Sequence, residues 1–188
     1  MQELHASTVT NKDKQEVVVS RNSQVTLIDE KGKLIEQHKI IYGATLFVKD
    51  QTNVEPGLKI AGWDPYTRPI ISEVEGIVQF TDIDDGVTVR SKTDELTGLS
   101  SIEVIDVAER PSAGKDKVPS IALVDSKGKP VPLGEHKTPA NYSLPSKALV
   151  NLKDGKKLHA GEVLARIPLE GSKTKDITGG LPRVADLF

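Results

Sequence analysis

Apolar residues along this chain come in short runs, rich in Val, Ile and Thr, and each run ends at Lys-Gly, Asp-Gly or Pro-Gly, pairs that supply the backbone angles of tight turns. The runs predict strands at Glu16 to Ser20, Gln24 to Asp29, Leu34 to Ile41, Thr45 to Val48, Lys59 to Trp63, Ile70 to Phe80, Val87 to Ser91, Ser101 to Val107, Ser120 to Asp125, Ala148 to Leu152 and Glu162 to Ile167. Phe80 to Val89 reads as a hairpin with Asp85-Gly86 at its tip. No long segment keeps a helical period of 3.6, so helix is expected to be scarce. The spacing of the strands suits an all-β sandwich or barrel.

The pattern also repeats. Leu27-Ile28-Asp29-Glu30-Lys31-Gly32-Lys33 returns 96 residues later as Leu123-Val124-Asp125-Ser126-Lys127-Gly128-Lys129. Val48-Lys49-Asp50, Val54, Gly57, Ile60 and Ala61 return 104 residues later as Leu152-Lys153-Asp154, Leu158, Gly161, Leu164 and Ala165. A weaker match sets Glu16 to Ser20 against Ile102 to Asp106. The order is the same in both halves, which implies a duplicated β module. The expected layout is a polar arm over 1–13, module one over 14–96, module two over 97–171 and a tail over 172–188. In that tail Leu181, Val184, Ala185 and Phe188 fall at helical spacing behind Pro182, as in a helix interrupted where the chain stops.

Composition removes several function classes. The net charge of −2 disfavours binding of polyanions through bulk positive charge. One Trp, three Tyr and three Phe offer few platforms for stacking bases. With no Cys there is no disulfide framework, thiolate metal site or cysteine nucleophile. No apolar run approaches the length of a membrane span, and the first residues lack the pattern of a signal peptide, so a soluble cytoplasmic chain is expected.

Candidate chemistry is sparse. His5, His38, His136 and His159 have no ligand-like spacing. Asp82, Asp84, Asp85 and Gly86 hint at a calcium loop but lack its later ligands, and a hairpin tip explains them better. Glu73 and Glu75 would share the wet face of a strand, and Trp63 reads more readily as the lid of a small core than as a ligand platform. Asn141-Tyr142-Ser143 is read as a chance match to a glycosylation acceptor. No nucleophile elbow, phosphate loop or dinucleotide fingerprint is present. Lys49 and Lys153, beside turns, leave open a carrier module of the biotinyl or lipoyl type, although neither has the flanking residues those families use. A protein-binding scaffold is the other alternative.

The most specific stretches are Tyr42-Gly43-Ala44 with Gly62-Trp63-Asp64-Pro65, Thr93 to Ser101, and above all Thr174-Lys175-Asp176-Ile177-Thr178-Gly179-Gly180-Leu181-Pro182-Arg183-Val184-Ala185-Asp186-Leu187-Phe188. Together they resemble the lineage-specific insertion, of proteobacterial type, in the trigger loop of bacterial RNA polymerase β′ subunits. The resemblance implies two tandem sandwich-barrel hybrid motifs. They would sit between the two helices of a loop that closes over the incoming nucleotide. It further implies that Ile177, Thr178, Gly179, Gly180, Leu181, Pro182 and Arg183 begin the second half of that loop. The nucleotide-contacting helix and the acidic loop that holds catalytic magnesium would lie elsewhere in the parent subunit, as would its zinc. By that resemblance the chain has no complete active site or cofactor of its own. Its expected role, as part of a nucleotidyltransferase, is to modulate the opening and closing of the trigger loop during elongation, pausing and transcript cleavage. Its partners would be the rest of β′ and the β, α, ω and σ subunits, with downstream DNA a candidate contact and no membrane. Localisation would be cytoplasmic, at the nucleoid.

Overall fold

The computed structural model describes residues 2–5, 7–93, 100–134 and 137–169. Within them the chain is all β. The first module contains β1 (Gln2–His5), β2 (Thr8–Thr10), β3 (Glu16–Val18), β4 (Ser23–Ile28), β5 (Leu34–Ile40), β6 (Thr45–Leu46) and β7 (Ala61–Gly62). The second contains β8 (Thr67–Ile71), β9 (Gly76–Thr81), β10 (Val89–Thr93), β11 (Ser100–Val104), β12 (Ser120–Val124), β13 (Pro132–Leu133), β14 (Thr138–Pro139), β15 (Asn141–Ser143), β16 (Leu149–Val150), β17 (Lys157–Leu158) and β18 (Val163–Pro168). Two single 3-10 turns, at Val107–Glu109 and Ser112–Gly114, are the helical elements among the described residues.

All the ladders are antiparallel. The first module pairs one sheet of order β1-β4-β5 with another of order β2-β3-β6-β7. The second pairs β15-β12-β9-β17 with β10-β11-β16-β18-β8 and adds the small ribbon β13-β14. Apolar residues on alternate positions of these strands turn inward, as a half-buried sheet requires. Val18, Val25, Ile40, Ala44 and Leu46 form the first core. The second gathers Val78, Val89, Val104, Ile121, Leu123, Leu158 and Leu164, among others.

The duplication is visible bond by bond. Asp29 Oδ1 accepts from the amides of Lys31 and Lys33, each at 2.8 Å, and Gly32 adopts φ +77. Asp125 Oδ1 does the same for Lys127 and Lys129 at 2.8 and 2.9 Å, with Gly128 at φ +76. Such Asx turns let a short side chain stand in for the backbone acceptor, and only glycine enters the left-handed region without a steric cost. In both modules the third node is also kept. The amides of Val18 and Val104 donate to the carbonyls of Ala44 and Ala148, each at 2.9 Å.

Several expectations are corrected. The polar arm is folded: β1 pairs with β4 and β2 with β3, so edge strands form from residues whose sequence is largely polar. Thr67 to Thr93, expected in module one, hydrogen-bonds with strands of the second half, so the change of sheets falls between β7 and β8. The expected strand Ile70 to Phe80 is two strands, because the chain turns at Ser72 to Glu75, where the Ser72 hydroxyl donates to the Val74 carbonyl. The expected hairpin at Phe80 to Val89 is a corner, since β9 and β10 belong to different sheets.

Candidate functional site

A hollow of about 860 Å³ lies along the seam where the two modules meet. Its first wall comes from the loop after β5, from β6 and from the β7 segment with Lys59, Trp63 and Asp64; its second comes from β8 and β18 with Arg68, Pro69 and Arg166. The seam is held by direct contacts. Gly43, at φ +86, lies so close to Pro69 that a Cβ there would stand 2.4 Å from the Pro69 Cγ. The neighbouring Tyr42 hydroxyl accepts from the Ile71 amide at 3.3 Å. Burial pushes the Tyr42 phenol above its ordinary range, so it stays neutral at physiological pH. Within the second module, away from the seam, Tyr142 repeats the device, accepting from the Glu73 amide at 3.1 Å, and burial raises its pKa too. Further along the seam, Lys12 reaches Glu162 at 3.5 Å, and the backbone of Asn11 packs against Gly161.

Inside the hollow the surface is mixed. Phe47 and Trp63 are 46% and 49% exposed. The Lys59 ammonium sits 4.7 Å from the centre of the Phe47 ring, within cation–π range. Asp64 accepts from the Tyr66 amide at 2.8 Å and the Thr67 hydroxyl at 2.7 Å, and lies 3.7 Å from Arg166. The Thr67 bond, with the Tyr66 amide next, holds the Asp64 carboxyl below its usual range. This arrangement presents aromatic surface, cations and a committed carboxylate. It supplies no nucleophile paired with a base.

The residues singled out by sequence are dispersed. Ile177, Thr178, Gly179, Gly180, Leu181, Pro182 and Arg183 lie outside the described residues, as does His136. His38 pairs with Glu36 at 2.9 Å and His159 with Glu75 at 3.8 Å, both on exposed surface. Glu73 and Glu75 lie in a turn rather than in the expected strand. Among the described residues no three His, Asp or Glu side chains converge as metal ligands. In the Asp82 corner the buried Thr88 hydroxyl donates to the Asp82 carbonyl at 2.6 Å and accepts from the Asp84 amide at 2.9 Å. Asp84 pairs with Lys117, and Asp82 accepts from the Val118 amide, so these two acids tie the loop to the segment that precedes β12. Lys49 and Lys153 lie in loops next to turns, and the Asp154 carboxylate beside Lys153 is tied to the Phe80 amide at 2.8 Å. Trp63, expected to close a core, instead stands half exposed on the seam. Sequence reasoning missed the seam itself, because Gly43 and Pro69 signal a turn and an edge strand but not each other.

Comparison with known proteins decides where this architecture belongs. No family model matches. A β′ subunit of DNA-directed RNA polymerase from Aliivibrio fischeri is 56% identical over 186 residues, 98% of this chain. The chain is a homologue of one segment of the RNA polymerase β′ subunit. The corresponding subunits of Cellvibrio japonicus and Vibrio parahaemolyticus are 52% and 54% identical over the same 98% of the chain. The chain spans about 13% of the length of these β′ relatives.

Proposed function

We propose that this chain is the non-catalytic trigger-loop insertion of a β′ subunit, built of two sandwich-barrel hybrid modules, and that it biases the opening and closing of that loop during RNA synthesis. The observation that carries the reading is identity above half with β′ subunits over nearly the whole chain. The physical argument is one of linkage. A contact that the modules make in only one state of the loop shifts the equilibrium by the difference in contact energy, and about 1.4 kcal/mol changes the population ratio tenfold. The seam suits this role, since Tyr42, Gly43 and Pro69 fix one module to the other and a contact made by either is felt at the attachment of both.

In this reading the partners are the rest of β′ and the β, α, ω and σ subunits, with downstream DNA a further contact, and the setting is the cytoplasm at the nucleoid. Catalysis belongs to the parent enzyme. The described residues do not form the acidic cluster that magnesium needs, so no step of nucleotidyl transfer is assigned to them. The test is made in the complete polymerase, with residues 2–169 replaced by a short flexible linker so that no orphaned strand remains. The lifetime of a defined transcriptional pause is expected to change several-fold. Lifetimes equal to those of the intact enzyme overturn the proposal.

A further inference from the structure

The duplication supplies an internal comparison that singles out one sheet edge. Leu149 pairs with Arg166 in the second module as Thr45 pairs with Gly62 in the first, so β18 and β7 are equivalent strands. On its far side β18 carries another strand: Ala165 faces Ile70 and Ile167 faces Arg68 of β8, and the Leu169 amide continues the ladder to the Tyr66 carbonyl at 3.0 Å. β7, by contrast, is the last strand of its sheet. The Phe47 amide donates to the Ile60 carbonyl at 2.8 Å, which fixes the alternation: Ile60 and Gly62 turn their peptide groups toward β6, while Ala61 and Trp63 turn theirs outward. These are the positions equivalent to Ala165 and Ile167, where β8 is bound.

The surfaces on either side of this edge differ. One is a mainly apolar hollow of about 390 Å³, with Val25, Ile40 and Leu58 in its lining and His38, Lys39 and the shared Lys59 as its polar members. The other is the seam, where Lys59 and Arg68 are exposed and, among the described residues, have no carboxylate partner. A strand laid along β7 would present alternate side chains to these two surfaces.

We infer that the β7 edge is a strand-addition site for an extended segment of a partner polypeptide in which apolar and acidic residues alternate. The segment would pair its backbone with the Ala61 and Trp63 peptide groups. Its apolar side chains would enter the hollow beside Leu58, and its carboxylates would meet Lys59 and Arg68. Strand addition draws affinity from the backbone and selectivity from alternate side chains. The brevity of β7, flanked by Lys59 and Pro65, keeps the edge from pairing indiscriminately.

The probe is a capped peptide of alternating valine and aspartate, of the length of β8, titrated to about 1 mM into the isotopically labelled 188-residue chain. Shifts centred on the Ala61 and Trp63 amides, with slowed hydrogen exchange there, are the expected result. A twin peptide N-methylated along its backbone keeps the side chains but cannot form the ladder, and is expected to lose binding. The exposed substitutions Lys59→Glu and Arg68→Glu together should weaken the unmodified peptide about tenfold. Any of four results overturns the proposal: no shift at the highest concentration, equal binding of the methylated twin, the same residues answering to oligothymidylate and not to the peptide, or concentration-dependent shifts without peptide that mark a second copy as the occupant.

Discussion

Gly43 and Lys147 occupy the same node of the two modules. Each donates its amide to the valine carbonyl of the neighbouring strand, Val18 or Val104, at 2.8 Å, and each has a positive φ, +86 and +64. Around the shared node the modules diverge. Among the described residues the first core has five buried members and the second thirteen. Of the large exposed apolar side chains among the described residues, Leu34, Ile35, Ile41, Phe47, Leu58, Trp63 and Tyr66 lie on the first module and the linker beside it, against Val107, Val118 and Leu169 on the second. Turn chemistry and ladder bonds therefore reproduce a scaffold without reproducing its packing. The second module reads as the anchor, and the first as the one that keeps apolar surface for use elsewhere.

The strongest way to break that contrast is to truncate one leucine in each core. Leu123 is fully buried and Leu46 nearly so. Leu123→Ala should cost about 4 kcal/mol, near the upper part of the range for buried leucines, because its thirteen-member cluster cannot close over the void. Leu46→Ala should cost about 2 kcal/mol, since fewer neighbours hold the cavity open. Urea unfolding of the 188-residue chain measures both. Equal losses would mean that cluster size does not separate the modules.

Next in size is the seam. A positive φ is tolerated by Lys147, so the left-handed angle alone does not reserve Gly43 for glycine; the approach of Pro69 does. Gly43→Ala should destabilise by about 2 kcal/mol, through overpacking as well as backbone strain. Faster exchange of the Ile71 amide in Gly43→Ala would locate the damage at the seam. Unchanged exchange there would place it elsewhere.

What was legible in the sequence follows the same divide between local and distant causes. The Lys-Gly turns, the valine runs and the two-fold repeat are local signals, and they led to the all-β architecture and to most of its inner strands. The folded arm was not legible, because Gln2 to His5 and Thr8 to Thr10 become strands only through partners β4 and β3 that a polar sequence does not announce. The grouping of β8 to β10 with the second half was hidden for a related reason: repeat matching placed the conserved turns but not the strand that enters each module first. Trp63 was misread because the wall it faces across the hollow comes from β8 and β18, with Arg166 far along the chain from it. The Ile177 to Arg183 run contributes nothing to this comparison, lying outside the described residues.

The smallest effect concerns one position where the modules differ in charge. By the repeat, Glu103 stands where the first module has the buried Val17. Its carboxylate is almost wholly covered and is held by Arg90 at 3.1 Å and Lys92 at 3.5 Å. The bond from Arg90 lowers its pKa below the ordinary glutamate value, outweighing desolvation, with Lys92 adding to the same side. A depressed folded pKa means that the unfolded chain binds the proton more readily. The contribution of Glu103 is thus fully present above the unfolded value, roughly 4.3, and is lost as pH falls through the lower folded value. Glu103→Gln should flatten the acid limb of the second module's stability profile by under about 1 kcal/mol, the scale of a partly solvated ion pair, with little change in the first. Hydrogen exchange of Val104 and Val18 amides between about pH 5 and pH 3 separates the two responses; equal flattening at both would show that the seam transmits the charge and that the modules unfold as one unit.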